Sequence, residues 1–151
     1  MGIFDSLKSK SDAMYSPICE QEAWVSIMHA CMSANGEVSE VETDKMIAIM
    51  TFKNIFENHD IVDYIKKAID ARNRFGEKIM IEKSAPLIPK DDRATLFCQC
   101  VELTLADGRL DDKEKEIIQF LADNLHLTQD ITVKIVDVYL IRNKYNYIIS
   151  D

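Results

Sequence analysis

Apolar residues recur along this chain with the period of amphipathic helices. The clearest example occupies positions i, i+3, i+4 and i+7 of one segment, with Trp24, Ile27, Met28 and Cys31. Residues at that spacing line one face of a helix. Similar stripes return in later segments, and no segment shows the strict alternation that is typical of a β-strand. The pattern predicts an all-α fold, a single-domain helical bundle of about seven or eight helices.

The turns between the predicted helices include a short acidic motif that occurs twice. The first copy, residues 35–42, reads NGEVSEVE, and the second, residues 107–114, reads DGRLDDKE, 72 residues later. In each copy a glycine follows one helix, since glycine tolerates the left-handed backbone common at helix ends. A Ser or Asp three residues before a Glu then predicts a capping box at the start of the next helix.

The offset between the two motifs also relates the apolar helices around them, which predicts an internal repeat. We expect one domain over residues 1–151, with repeat one at about 15–75 and repeat two at about 90–145. The break at about 76–89 holds two of the three prolines and has room for a short helix. Two such repeats could pack face to face with pseudo-twofold symmetry.

The apolar stripe of the last helix in each repeat predicts four core residues. Those in the first repeat are Ile61, Ile65, Ala68 and Ile69, and those in the second are Ile131, Ile135, Val138 and Tyr139. The four cysteines, at 19, 31, 98 and 100, have no paired CxxC spacing. We expect them to be reduced thiols, and those within apolar helices to pack in the core.

Charge and hydropathy restrict the partners and the location. The net charge of −8 argues against nucleic acid as the main partner, because phosphate contacts need clustered Lys and Arg. Basic residues concentrate at 66–93, so that face is either a docking surface for an acidic partner or an ordinary solvated face. No apolar run approaches the roughly 18 residues that span a bilayer. No signal peptide is evident either, so we expect a cytoplasmic protein.

The acidic motif resembles the second half of an EF-hand loop. With Gly108 at position 6, the residues Asp107, Asp111 and Glu114 fall on positions 5, 9 and 12. Positions 1 and 3 are leucines, so one loop alone lacks the six or more oxygens that Ca²⁺ takes.

Two such loops placed side by side by the repeat could share one divalent cation, with Ca²⁺, Mg²⁺, Mn²⁺ and Zn²⁺ all left open. The candidate metal ligands are Asn35, Glu37, Ser39, Glu42, Asp107, Asp111 and Glu114, with Glu40 and Asp112 on the rim. An alternative interpretation needs no metal, because the same residues would cap helices and each cap contributes about 1 kcal/mol. In that case the chain is a metal-free module for protein–protein interaction.

Enzyme chemistry has little support in the sequence. The four glycines are scattered and form no phosphate-binding loop, and the histidines at 29, 59 and 126 are isolated. We expect His29 to be a core or boundary residue, and no catalytic residue is named. A metal-dependent hydrolase at the acidic motif is the weaker alternative.

The paired turns (residues 33–36 with Glu42, and residues 105–108 with 111–114) and the opening MGIFDSLK resemble the TerB family of tellurite-resistance proteins. The resemblance implies an all-helical fold with an internal repeat and an acidic cluster that binds a divalent metal. It also implies a role in stress responses to tellurite, other toxic oxyanions or phage, with membrane-linked Ter proteins as partners. The chain departs from the family at Asn35, where an Asp would be the stronger ligand.

These observations lead to one working hypothesis. We expect a non-enzymatic stress-response protein that binds a divalent cation, docks to other proteins and resides in the cytoplasm or at the inner face of the membrane. The oligomeric state is left open.

Overall fold

A computed structural model describes residues 15–106 and 108–146, which form seven α-helices and no strand. The helices are α1 (Glu20–Met32), α2 (Glu40–Thr51), α3 (Ile61–Phe75), α4 (Glu77–Ser84), α5 (Arg93–Thr104), α6 (Asp112–Asn124) and α7 (Gln129–Arg142). Short 3₁₀ turns occupy Ser33–Asn35, Asn54–Phe56, Ala85–Leu87 and Lys90–Asp92. The all-α prediction is confirmed.

Helix α1 is the central helix, and every residue from 22 to 31 in it is buried. A helix that is surrounded on all sides has no polar face turned to solvent. Helices α3, α4 and α5 pack around α1. Trp24 on α1 is 1% exposed, and its Nε1 donates a hydrogen bond to Oε1 of Gln99 on α5 at 2.7 Å. Its ring also meets Phe56 edge-on. Trp24 therefore connects the two predicted repeats through the core.

The predicted break at 76–89 contains a helix that belongs to the core. Helix α4 follows α3 with only Gly76 between them, and Gly76 has a φ of +85°. Met80 and Ile81 of α4 are fully buried, and the helix packs closely along α1. The segment is therefore a packed connection rather than a loose spacer. The repeat boundaries and the pseudo-twofold arrangement stay predictions.

Three of the predicted inward residues, Ile69, Ile131 and Val138, are exposed, so those assignments were wrong. The buried face of α3 is instead Tyr64, Ile65, Ala68 and Ala71, and the inner face of α7 is the half-buried set Ile135, Val136, Tyr139 and Leu140. Helix α7 packs mainly against α5 at the edge of the bundle. At that position its outer face has no covering helix, so apolar side chains such as Val138 and Ile141 reach solvent.

No helix in the described ranges is both long enough and apolar enough to cross a membrane.

Candidate functional site at the paired turns

The first turn joins α1 to α2 and has the predicted local structure. The Gly36 amide donates to the Ser33 carbonyl at 3.1 Å, and Gly36 has a φ of +130°, which favours glycine. Ser39 then caps α2. Its Oγ accepts from the Glu42 amide at 3.1 Å, and Glu42 Oε1 accepts from the Ser39 amide at 3.2 Å. The predicted capping box is confirmed.

The second turn, between α5 and α6, repeats these bonds. The Gly108 amide donates to the Leu105 carbonyl at 2.9 Å, and Gly108 has a φ of +75°. Asp111 Oδ1 accepts from the Glu114 amide at 2.8 Å, while Glu114 Oε1 accepts from the Asp111 amide at 3.1 Å. The second capping box is confirmed as well. Asp107, the acidic residue beside Gly108, lies outside the described residues.

The two turns contact each other across the bundle. Nδ2 of Asn35 in the first turn donates to Oδ2 of Asp111 in the second at 2.9 Å. Both carboxylate oxygens of Asp111 therefore accept hydrogen bonds. These bonds, above all those with Glu114, lower the pKa of Asp111 from its usual value, with a contribution from Asn35. Asp111 is an ionised carboxylate at the meeting point of the turns.

The other predicted ligands are spread around this contact. Ser39 and Glu42 are half-buried in their own capping box, while Glu37, Glu40 and Asp112 occupy exposed positions. Within the described ranges, no group of three His, Cys, Asp or Glu residues could hold a metal ion. Asn35 and Asp111 together are also far fewer ligands than the six to eight oxygens of a Ca²⁺ site. Asn35 and Asp111 alone therefore do not make up a complete Ca²⁺ site.

Both turns are braced by side chains from distant positions in the chain, which the sequence did not predict. The Ser33 carbonyl accepts from Arg72 Nη2 at 3.1 Å, and the Leu105 carbonyl accepts from Asn143 Nδ2 at 2.9 Å. The two carbonyls are 72 residues apart, which is the offset of the motif. Arg72 lies in the last turn of α3, and Asn143 follows the last residue of α7. The turns thus share a support as well as a sequence motif.

Four of the eight basic residues at 66–93 form ion pairs with the chain's own acids. Lys67 Nζ lies 3.4 Å from Asp63 and 3.6 Å from Glu22, and Lys78 Nζ lies 2.8 Å from Glu116 across α4 and α6. These carboxylates raise the pKa of both lysines. Exposed pairs of this kind contribute little to stability, but they reduce the positive charge that is free to attract an acidic partner.

The cysteines and His29 have the surroundings of core residues. Cys31 and Cys100 are buried and Cys19 and Cys98 half-buried, all as free thiols. Burial raises the pKa of Cys100 well above its usual value, so its thiol stays protonated. Burial, and then the positive charge of Arg72, lower the pKa of His29 to about 4. His29 is therefore neutral at pH 7.

The capping role predicts a loss of stability that does not depend on metal. Asp111→Ala should lower the free energy of unfolding by about 1–2 kcal/mol in chelator, because it removes a cap and the bond to Asn35. Ser39→Ala is the matched control, since it removes the equivalent cap in the other turn, and we expect a smaller loss of about 1 kcal/mol. Urea denaturation would measure both. Equal losses would mean that the contact between the turns adds nothing to stability.

A family model described as tellurite resistance protein TerB matches residues 21–135, which is more than half of the chain. No curated protein and no solved structure matches the chain. The matched region includes both turns and runs from α1 into α7. The TerB family is generally not a family of catalysts. The chain belongs to the tellurite resistance protein TerB family.

Proposed function

We propose that this chain is a non-enzymatic stress-response protein that binds a divalent cation between its paired turns and docks to other proteins. The contact between Asn35 and Asp111 at 2.9 Å carries the proposal, because it brings oxygen-bearing side chains of two repeated acidic turns together. Asp111 is ionised, and carboxylate and amide oxygens are ligands that Ca²⁺ prefers. A cytoplasmic location, and partners that include membrane-linked Ter proteins, belong to the same proposal and rest on family membership.

The cation would change the balance of charge at the contact. Without it, the Asn35 amide satisfies one oxygen of Asp111 by donating a hydrogen bond. With it, both side chains would offer oxygens, and Asp107 next to Gly108 would add a second carboxylate from the same turn. The proposal therefore concerns a site centred on the second turn, with the first turn contributing the neutral ligand Asn35.

The substitution Asn35→Asp distinguishes the cation-binding hypothesis from the capping hypothesis more sharply than a substitution that removes a ligand. Two carboxylates would then face each other in place of the hydrogen bond, so we expect a loss of stability in chelator. A bound cation should reverse this loss and should bind more tightly than to the wild type. If the residues only cap helices, the loss will remain at every cation concentration.

The measurement is thermal unfolding followed by the fluorescence of Trp24, the one tryptophan of the chain. Each protein is first stripped with chelator and then titrated with Ca²⁺, Mg²⁺, Mn²⁺ or Zn²⁺. A ligand at 100 times its dissociation constant adds about 2.7 kcal/mol to stability. We expect a selective shift in the wild type, a larger one in Asn35→Asp and none in Asp107→Asn. Identical responses of the wild type and Asp107→Asn would refute the shared site.

The capping boxes favour a second candidate function, a metal-free interaction module. Glu42 and Glu114 already accept hydrogen bonds from the amides of Ser39 and Asp111, and α7 presents several apolar side chains to solvent. Absence of a shift with any of the four cations would support this candidate.

A further inference from the structure

Helix α7 has an outer face that the rest of the described chain leaves uncovered. More than half of its 14 residues are apolar, yet it is the one α-helix of the described chain in which no residue is buried. Five of the nine large apolar residues that the described chain exposes belong to α7 or follow it directly: Ile131, Val133, Val138, Ile141 and Tyr145. A helix that is apolar on most of its faces is normally covered. Exposed apolar surface concentrated in this way marks an interaction site.

The most exposed of these side chains form one line along the helix, which we call the α7 stripe. It consists of Lys134, Val138, Ile141 and Tyr145, at successive intervals of four, three and four residues. That spacing is the one at which two helices pack side by side. Val138 is 58% exposed, Ile141 77% and Tyr145 88%. Lys134, the charged member, pairs with Asp130 of the same helix at 3.0 Å, so its charge is already balanced.

Charged residues flank the α7 stripe in an order that fits a second copy of the same helix. Asp137 precedes Val138 and Lys144 precedes Tyr145, so the two opposite charges lie seven residues apart on one flank. Both are exposed, and neither forms an ion pair with a described residue. In an antiparallel pair, a two-fold axis brings the same flank of both helices together. When Val138 meets Ile141 of the second copy, Asp137 lies beside Lys144 of the second copy.

We propose that the α7 stripe pairs, in antiparallel orientation, with the α7 stripe of a second copy of this chain. The two-fold axis repeats each contact, so the interface contains two contacts of Val138 with Ile141 and two ion pairs of Asp137 with Lys144. Residues 134–145 span about 18 Å. An interface of that length is small, so we expect a weak dimer with a dissociation constant of about 10–1000 μM. The paired turns take no part in it, so this inference and the proposed cation site can fail independently.

The test is sedimentation velocity of the whole chain in chelator, at protein concentrations below and above the expected dissociation constant. The wild type should shift from monomer toward dimer as its concentration rises. Ile141→Glu places a charge within the α7 stripe and should abolish that shift. Val62→Glu is the matched control, because Val62 is an exposed apolar residue of α3, and it should dimerise like the wild type. Circular dichroism would confirm that both variants are folded.

A charge exchange tests the antiparallel register. Asp137→Lys and Lys144→Glu each place like charges together at both ends of the interface, so each alone should weaken dimerisation about fivefold or more. An equimolar mixture of the two variants restores both ion pairs and should associate about as tightly as the wild type. Lys66→Glu makes the same change of charge at an exposed position of α3 and should stay within about twofold of the wild type.

Three results would contradict the inference. A wild type that stays monomeric throughout would overturn it and leave α7 to a partner of different sequence. A dimer that persists in Ile141→Glu would show that the chain associates through another surface. A mixture of Asp137→Lys and Lys144→Glu that associates no better than either variant alone would rule out the antiparallel pairing of α7.

Discussion

Gly108→Ala is expected to lower the free energy of unfolding by about 3–5 kcal/mol, as the sum of backbone strain and a steric clash. Gly108 has a φ of +75°, where an L residue is strained. A Cβ on Gly108 would also lie 2.5 Å from the Asn143 carbonyl oxygen and 2.8 Å from its carbon. These are backbone atoms, so the end of α7 would have to move. That movement would disturb the bond from Asn143 to the Leu105 carbonyl, which braces the second turn.

Gly36→Ala is the matched control, because it occupies the equivalent position in the first turn. Gly36 has a φ of +130°, but a Cβ there would meet nothing within 4 Å. We therefore expect backbone strain alone, about 1–3 kcal/mol. Urea denaturation in chelator, followed by Trp24 fluorescence, would give both values. Equal losses at Gly36 and Gly108 would contradict the close packing of the second turn against the end of α7.

The parts of the site that follow from local sequence were predictable. Each capping box needs only a Ser or Asp and a Glu three residues later, and each turn needs only its glycine, so residues 39–42 and 111–114 have the predicted bonds. The braces were not predictable in the same way. Arg72 and Asn143 reach carbonyls 39 and 38 residues earlier in the chain. Nothing in a helical stripe indicates which distant carbonyl a side chain will meet.

The apolar stripes show a related limit. Periodicity identifies a helix, but it does not say how many neighbours the helix has. Helix α7 was expected to bury Ile131 and Val138, yet both are exposed because the helix lies at the edge of the bundle. In α3 the inner face includes Tyr64, whose hydroxyl bonds to His59 Nδ1 at 2.8 Å. An aromatic side chain with a polar end is compatible with either face of a helix. The sequence pattern alone therefore did not indicate that Tyr64, rather than Ile69, faces the core.

The internal repeat suggested that the two turns could lie side by side. It did not indicate which hydrogen bonds each carboxylate would make. Asp111 was expected as a metal ligand, and in the structure its two oxygens accept from Glu114 and Asn35. A capping bond and a metal bond require the same atoms, and sequence alone does not decide between them. The competition can be measured, because Asn35→Asp removes the donor without removing either cap.

The second large effect concerns the core that supports the site. Trp24→Ala is expected to lower the free energy of unfolding by at least about 3–5 kcal/mol, the usual cost of truncating a buried aromatic residue. Trp24 is 1% exposed and contacts Phe56, so the cavity would open in the centre of the bundle. Because the variant lacks tryptophan, the measurement is urea denaturation followed by far-ultraviolet circular dichroism. A loss below about 2 kcal/mol would contradict a central position for this side chain.

A double-variant cycle would isolate the polar part of this contact. Trp24→Phe keeps most of the apolar surface but leaves Gln99 without the donor that lies 2.7 Å away, and Gln99→Leu leaves the indole N–H without its acceptor. Each single variant should therefore carry a penalty of about 1–3 kcal/mol for an unpaired buried group, in addition to any packing change. The double variant removes both polar groups, so its loss should be smaller than the sum of the two single losses. Strictly additive losses would show that the bond between α1 and α5 contributes nothing beyond packing.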